Sequence, residues 1–194
     1  MIPIDIETAK AVALKAAKKH PSIDFRPNHV SIASISHPYF IDYYFFYVWG
    51  PLAHSYNALF AVGRDGSVFM LPDEFSRMAK DSGLLLTNTE EAQSLVELYL
   101  SFNLLIPDDS HVILADILDI PGIDSQKEII NQYRSVIRPM KITHEKEGWT
   151  FDFFSWRTFA GVLYHWNISI TRFGEIRAKE AVIDRRIGDF KLML

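Results

Sequence analysis

Apolar residues recur every three or four positions from Asp5 to His20, and lysines occupy many of the positions between them. This spacing places the apolar side chains on one face of an α-helix. Pro21 follows and cannot continue the helix. A second helix is predicted from Thr89 to about Leu105, because its first residue suits an N-cap and Pro107 ends it. A third is predicted from about Asp124 to Ile137.

Between the first two helices the apolar positions alternate with a period of two, which is typical of β-strands. Residues 39–49 form a strongly aromatic stretch. The tetrapeptide Arg64-Asp65-Gly66-Ser67 has the composition of a hairpin turn. The pattern of residues 76–86 favours neither a helix nor a strand. Four strands are therefore predicted, at residues 30–35, 39–49, 56–62 and 68–71.

Short sequence matches in the same order relate the C-terminal part of the chain to the N-terminal part. Arg138-Pro139 matches Arg26-Pro27, Phe151-Asp152-Phe153-Phe154 matches Ile41-Asp42-Tyr43-Tyr44, and Arg172-Phe173-Gly174-Glu175-Ile176 matches Arg64-Asp65-Gly66-Ser67-Val68. Several matches at near-constant spacing favour an internal duplication. The alternative is that two unrelated β-meanders share aromatic strands and glycine turns. Under either interpretation each half is expected to contain a curled antiparallel sheet with helices packed on one face. The repeat matches also predict that Asp42 and Asp152 lie at equivalent positions.

The predicted fold class is α+β, with two halves that each combine helix and antiparallel sheet. The predicted organisation has three parts. Residues 1–75 form an N-terminal helix and a four-stranded sheet, and residues 76–137 form a helical connecting segment. Residues 138–194 form a C-terminal antiparallel sheet that packs with the preceding helices.

Residues 4–72 resemble PepSY domains and the wider group of cystatin-like domains. The resemblance rests on the alanine-rich helix that begins Ile4-Asp5-Ile6-Glu7-Thr8-Ala9 and on the strands that close on Asp65-Gly66-Ser67-Val68. Domains of this kind are small binding or peptidase-regulating modules, usually outside the cytoplasm. The resemblance therefore implies a binding module, and it assigns a functional role to no residue of this chain.

Composition narrows the classes of function. The chain has 194 residues and no cysteine, which rules out disulfides, thiolate metal sites and cysteine nucleophiles. The longest apolar stretch, from Tyr43 to Pro51, is far shorter than the roughly 20 residues of a membrane-spanning helix. The N-terminus does not have the pattern of a secretory signal. We therefore expect a soluble cytoplasmic protein that does not interact with a membrane.

The net charge is −4, and the 20 lysines and arginines are scattered along the chain. No basic stripe for a phosphate backbone stands out, so nucleic acid is not an expected partner. The sequence also has no Gly-x-Ser-x-Gly, Gly-x-Gly-x-x-Gly or Walker motif. We expect a protein that is not an enzyme and needs neither a cofactor nor a metal.

Asp42 and Asp152 each interrupt an aromatic strand, where an unpaired buried carboxylate would be costly. They are expected either to face solvent or to form ion pairs. The candidate partners are Arg64 for Asp42 and Arg172 or Arg157 for Asp152. A catalytic pair of carboxylates is a third interpretation, which nothing in the neighbouring sequence supports.

Aromatic side chains on both faces of the strand at residues 39–49 predict a binding surface. One face carries Tyr39, Tyr43, Tyr47 and Trp49, and the other carries Phe40, Tyr44 and Phe46. If helices cover only one face, the other needs a second layer, a partner chain or a ligand. The predicted binding residues are Tyr39, Asp42, Tyr43, Tyr47, Trp49, Asp152 and Trp156.

The predicted function is binding of another polypeptide, or of an identical subunit in a homodimer, through this aromatic surface. Two alternatives stay open at this point. One is an enzyme or small-molecule carrier with a pocket between curled sheet and helix. The other is an intracellular antidote that occupies a toxin or a peptidase.

Overall fold

A computed structural model describes residues 3–21, 23, 30–33, 35, 37–49, 56–104, 109–159 and 161–190, apart from the side chains of residues 49, 56 and 57. The chain folds as two compact units. The first unit comprises Met1–Leu85, Phe102–Pro107 and Phe173–Glu175, and the second comprises Leu86–Ser101, Asp108–Arg172 and Ile176–Leu194. Each unit contains its own antiparallel sheet. The predicted α+β class is therefore confirmed.

The first unit contains a four-stranded antiparallel meander in the order β1-β2-β3-β4. Helix α1 precedes the sheet and α2 follows it. The elements are α1 (Ile6–Lys19), β1 (Val30–Ile32), β2 (Tyr43–Trp49), β3 (Tyr56–Gly63), β4 (Val68–Leu71) and α2 (Phe75–Asp81).

Helix α1 forms where the apolar spacing predicts it. The Asp5 carboxylate accepts a hydrogen bond of 2.8 Å from the Thr8 amide and caps the first turn. Alanines at positions 9, 13 and 17 are buried against the sheet, where they share a core cluster with Phe46 and Phe60. Their small side chains fit a close contact between helix and sheet.

The other face of the first sheet is also covered within the first unit. Phe45 is 2% exposed, and its ring stacks on Phe102 with ring centroids 5.7 Å apart. Phe102 also contacts Phe75 of α2. The assumption that helices cover only one face is therefore wrong. Because both faces carry apolar side chains, each recruits its own layer from the same unit.

The second unit contains a five-stranded sheet in which β5 and β6 pair with the same edge of β7, and β8 and β9 follow on its other side. Strand β5 is absent from the sequence prediction. Helix α4 is shorter than the predicted helix at 124–137. The elements are α3 (Thr89–Phe102), whose last residue belongs to the first unit, β5 (His111–Leu114), α4 (Lys127–Tyr133), β6 (Lys141–Glu145), β7 (Gly148–Arg157), β8 (Val162–Thr171) and β9 (Ile176–Asp184).

Strands β6 to β9 follow one another as a meander, in the same order as β1 to β4. The register, however, does not make Asp42 and Asp152 equivalent. The Arg64 amide donates to the Asp42 carbonyl at 3.0 Å, and the same bond in the second unit joins Arg172 to Glu147 at 3.0 Å. Asp42 therefore corresponds to Glu147, and the predicted equivalence with Asp152 is wrong.

The cause of this error is a difference between the two hairpins. Asp42 directly precedes β2, whereas Asp152 lies within the ten-residue strand β7. A sequence alignment that matches Asp42 with Asp152 places β7 out of register with β2, because the equivalent hydrogen bonds match Asp42 with Glu147. Arg26 and Pro27, which also support the repeat, lie outside the described residues. Internal duplication stays a prediction.

Among the residues that the structure describes, no helix has the length and apolar character needed to cross a membrane.

Candidate functional site

A cleft of about 410 Å³ opens on the first unit. It brings together three of the predicted binding residues, Tyr39, Asp42 and Tyr43. We call it the acidic cleft, because three of its lining side chains are aspartates. Its lining residues are Pro3, Tyr39, Asp42, Tyr43, Gly63, Arg64, Asp65, Asp81 and Ser82.

Three elements build the acidic cleft. Asp42 directly precedes β2 and Tyr43 begins it, Asp65 lies in the turn between β3 and β4, and Asp81 is the last residue of α2. Gly63 ends β3, and its amide donates to the Ser67 carbonyl at 2.9 Å. A Cβ at Gly63 would collide with the side chains of Ser67 and Asp65. The side chains of Ser67 and Asp65 therefore occupy the space that a larger residue at position 63 would need.

Two hydroxyl groups each bind one of the carboxylates. The Tyr43 hydroxyl donates to Asp81 Oδ2 at 2.7 Å. Ser67 Oγ lies 2.7 Å from Asp65 Oδ1 and 3.5 Å from Asp81 Oδ2, so its proton goes to Asp65. Asp81 therefore keeps acceptor capacity for a further donor in the cleft.

The carboxylates give the acidic cleft a negative field. Burial raises the pKa of Tyr43, and the hydrogen bond to Asp81 and the charges of Asp81, Asp65 and Asp42 raise it further. Hydrogen bonds from Ser67 lower the pKa of Asp65, so this group stays ionised. Arg64 Nε lies 3.7 Å from Asp42 Oδ1, and both side chains are exposed. The predicted Asp42–Arg64 ion pair is present.

The aspartates of the acidic cleft do not form a metal site. Within the described ranges, no group of three carboxylate or imidazole side chains is arranged to hold a metal ion.

The other predicted binding residues lie elsewhere. Tyr47 is half-buried on β2, while the side chain of Trp49 lies outside the described residues. Trp156 is only 2% exposed, and its indole N–H donates to the Ile187 carbonyl at 2.8 Å. It belongs to the core of the second unit, so its assignment to an exposed binding surface is wrong. Its strand is buried on both faces, which alternation alone does not reveal.

Asp152 lies on β7 with a side chain that is 25% exposed. It contacts Arg138 at 3.3 Å and His165 at 3.2 Å, and not Arg172 or Arg157 as predicted. Burial acts to raise the pKa of Asp152, but its hydrogen bonds and charge interactions with Arg138 and His165 outweigh burial and lower it. The His165 ring also stacks on Phe154.

Arg157 is engaged instead by Asp109, a residue that the sequence analysis missed. The Asp109 side chain is 0% exposed, and it accepts from Arg157 Nε at 2.5 Å. It also accepts hydrogen bonds from Ser110, Thr158 and Phe159. Asp109 lies about 50 residues before Arg157 in the sequence, so the local sequence around Arg157 could not identify it as the partner.

A second missed group surrounds Ser155, which is fully buried. Ser155 Oγ accepts from the Trp166 indole at 2.8 Å and lies 2.9 Å from His111 Nδ1. Burial lowers the pKa of His111 to about 4, and the charge of Arg157 contributes. A serine within the aromatic stretch 153–156 is the one signal in the sequence that could have indicated this group.

Comparison of the chain with family models, with curated proteins and with solved structures gives no match. The resemblance to PepSY and cystatin-like domains therefore stays a prediction, and function has to be argued from the geometry.

Proposed function

We propose that this chain is a binding protein whose acidic cleft receives a cationic side chain of a partner polypeptide. The observation that carries the proposal is the Tyr43–Asp81 hydrogen bond inside a cleft lined by three aspartates. The absence of cysteine from the sequence supports a reducing compartment, such as the cytoplasm, as the place of binding.

Charge supports a cationic ligand. Arg64 offsets the charge of Asp42, which leaves Asp65 and Asp81 as the excess. A lysine ammonium or an arginine guanidinium could donate to Asp81 while lying against the tyrosine rings. A cleft of about 410 Å³ has the size of the smaller ligand sites in proteins.

The same geometry favours binding over catalysis. The residues lining the cleft within the described part of the chain include Asp42 but no histidine. The carboxylate–imidazole pair, Asp152 with His165, lies in the second unit and not among the lining residues. A carboxylate and an imidazole act as an acid–base couple only when both lie within reach of one reacting atom, and no such couple is present among the described lining residues.

The test uses N-acetylargininamide and its citrulline analogue, which has nearly the same shape without the charge. We expect the arginine compound to shift the NMR resonances of Tyr39 and Tyr43 and the citrulline compound to leave them unchanged. Asp81→Asn should weaken arginine binding by about fivefold or more. Asp124→Asn, an exposed aspartate of the second unit, is the matched control. Equal binding of citrulline, or no effect of Asp81→Asn, would contradict the proposal.

A small-molecule carrier is a second candidate, because the cleft could hold a free amine. The two functions differ in what surrounds the cation. A carrier should bind free argininamide as tightly as an arginine placed in the middle of a peptide. A polypeptide receptor should prefer the peptide, since flanking residues add contacts outside the cleft.

A further inference from the structure

The second sheet has a polar face made by four strands, β6 to β9. Cross-strand pairing defines two rows on it: Lys141, Asp152, Asn167 and Lys179 in the first, and Thr143, Thr150, Ser169 and Arg177 in the second. The Thr150 and Ser169 hydroxyls are 3.3 Å apart, as expected for neighbours on one face. All eight residues are exposed or half-buried. We call this surface the polar face.

The cations of the polar face stand at its two edges. Lys141 on β6, and Arg177 and Lys179 on β9, are exposed and make no ion pair within the described residues. Glu145 on the same face accepts a hydrogen bond from Thr150. The face therefore carries excess positive charge at its edges, although the chain as a whole has a net charge of −4.

The centre of the polar face carries one carboxylate, Asp152, which contacts Arg138 at 3.3 Å and His165 at 3.2 Å. Asp152 lies in the first row, next to Lys141 on one side and Asn167 on the other. The pKa of Asp152 is lowered by Arg138 and His165 against the effect of burial, so its carboxylate stays ionised. The first row therefore reads cation, anion, amide, cation across the sheet.

This order sets a spacing for a ligand. Neighbouring strands are about 4.8 Å apart, so Lys141 and Lys179 are separated by three spacings, or about 14 Å. An extended peptide rises about 3.4 Å per residue, so side chains four residues apart are also about 14 Å apart and point to the same side. The residue midway between them also points to the sheet, close to Asp152.

We infer that the polar face binds an extended polypeptide segment that carries two carboxylates four residues apart, with a residue that is not acidic midway between them. The two carboxylates contact Lys141 and Lys179. The middle residue lies over Asp152 and Asn167, where a neutral polar or a basic side chain is favoured. This inference is independent of the acidic cleft.

A peptide fits this surface better than a nucleic acid does. A nucleic acid strand carries a negative phosphate at every nucleotide, so a strand that spans both edges would place a charge near Asp152. Single-strand binding also relies on aromatic side chains that stack on bases. The eight residues of the polar face include no aromatic side chain.

The experiment measures fluorescence anisotropy of three labelled probes with the full chain at low salt. The first is a peptide with two glutamates four residues apart and serines between them. The second peptide has a third glutamate at the middle position, and the third probe is a deoxythymidine oligonucleotide. The test variant is Lys141→Glu combined with Lys179→Glu. Lys15→Glu on α1 of the first unit is the control for a change of charge away from the face.

We expect the first peptide to bind best, and its affinity to fall about tenfold in the double variant and with added salt. Lys15→Glu should bind it like the original chain. Asp152→Asn should improve binding of the peptide with three glutamates, an effect that a purely structural role of Asp152 would not produce. The inference is overturned if the double variant binds as well as the original chain, if Lys15→Glu weakens binding equally, or if the oligonucleotide binds more tightly than the first peptide.

Discussion

The hydroxyl of Tyr43 donates a hydrogen bond of 2.7 Å to Asp81 and thereby joins the start of β2 to the end of α2. The Tyr43 ring also packs on Phe40 and Phe69. One side chain therefore both lines the acidic cleft and stabilises the first unit. Substitutions at this position should separate the two roles.

Tyr43→Phe keeps the ring contacts and removes the hydroxyl. We expect a loss of about 1 kcal/mol in the free energy of unfolding, measured with urea, because a hydrogen bond to a solvent-exposed carboxylate contributes modestly. Tyr43→Ala should cost about 2–4 kcal/mol, because it also removes the packing. Tyr44→Phe, a hydroxyl deletion on the same strand, is the control. If Tyr43→Phe and Tyr43→Ala have the same effect, ring packing does not stabilise the first unit.

Asp109 and Asp42 allow a comparison of a buried with an exposed ion pair. The Asp109 side chain is 0% exposed and that of Asp42 is 72% exposed. Asp109→Ala leaves Arg157 and three other donors without their acceptor and should cost about 3–5 kcal/mol. Asp42→Ala should cost less than about 1 kcal/mol. Urea unfolding of both variants measures the difference, and similar costs would show that burial of Asp109 does not determine its contribution.

His111 should make stability depend on pH. Its pKa is about 4 in the folded chain against an ordinary 6.5, so the unfolded chain binds the proton first as the pH falls. The contribution is fully present above about pH 6.5 and is lost as the pH drops towards 4, by up to about 3 kcal/mol. His111→Asn should flatten this part of the curve of unfolding free energy against pH. His144→Asn, the same exchange at an exposed histidine, is the matched control. A curve for His111→Asn that keeps the original slope would contradict the assignment.

Gly63→Ala should change the lining of the acidic cleft, because Gly63 is one of its lining residues. The added methyl group collides with Ser67 Oγ and Asp65 Oδ1, so these two side chains have to move and their hydrogen bond is disturbed. We expect a loss of about 1–3 kcal/mol in unfolding free energy and weaker binding of N-acetylargininamide. Gly148→Ala in the second unit, where the added methyl group collides with the Ile170 carbonyl, is the control for a loss of stability away from the cleft and should keep the binding affinity. Intact binding in Gly63→Ala would show that the turn does not shape the cleft.

Much of the fold follows from local pattern. Helix α1 is found one residue inside each of its predicted ends, since its alanines, lysines and following proline all indicate the same element. The turn at Arg64-Asp65-Gly66-Ser67 follows from its composition. Strand β5 was missed because its four residues are too few for a clear period and depend on pairing with β7.

The candidate sites depend on contacts between distant positions. Asp42 and Tyr43 were identified as candidates, but Asp81 joins them only because α2 ends beside β2. Asp152 was recognised as unusual, whereas its partners Arg138 and His165 are determined by strand register. A sequence pattern can mark a carboxylate that needs a partner, but it cannot identify which distant donor the fold supplies.

The charged side chains of strand β9 protect the chain against aggregation through the edge of its second sheet. It pairs with β8 along one side, and most of its nine residues are exposed. Among the described residues no strand pairs with its other side. A long unpaired edge is a template on which a foreign strand can add, the first step of amyloid-like aggregation. Arg177, Lys179 and Glu180 place both signs of charge along it, so an apolar strand that paired there would have to desolvate them. The charges that attract a ligand to the polar face thus also oppose the pairing of strands from other chains with the edge of the sheet.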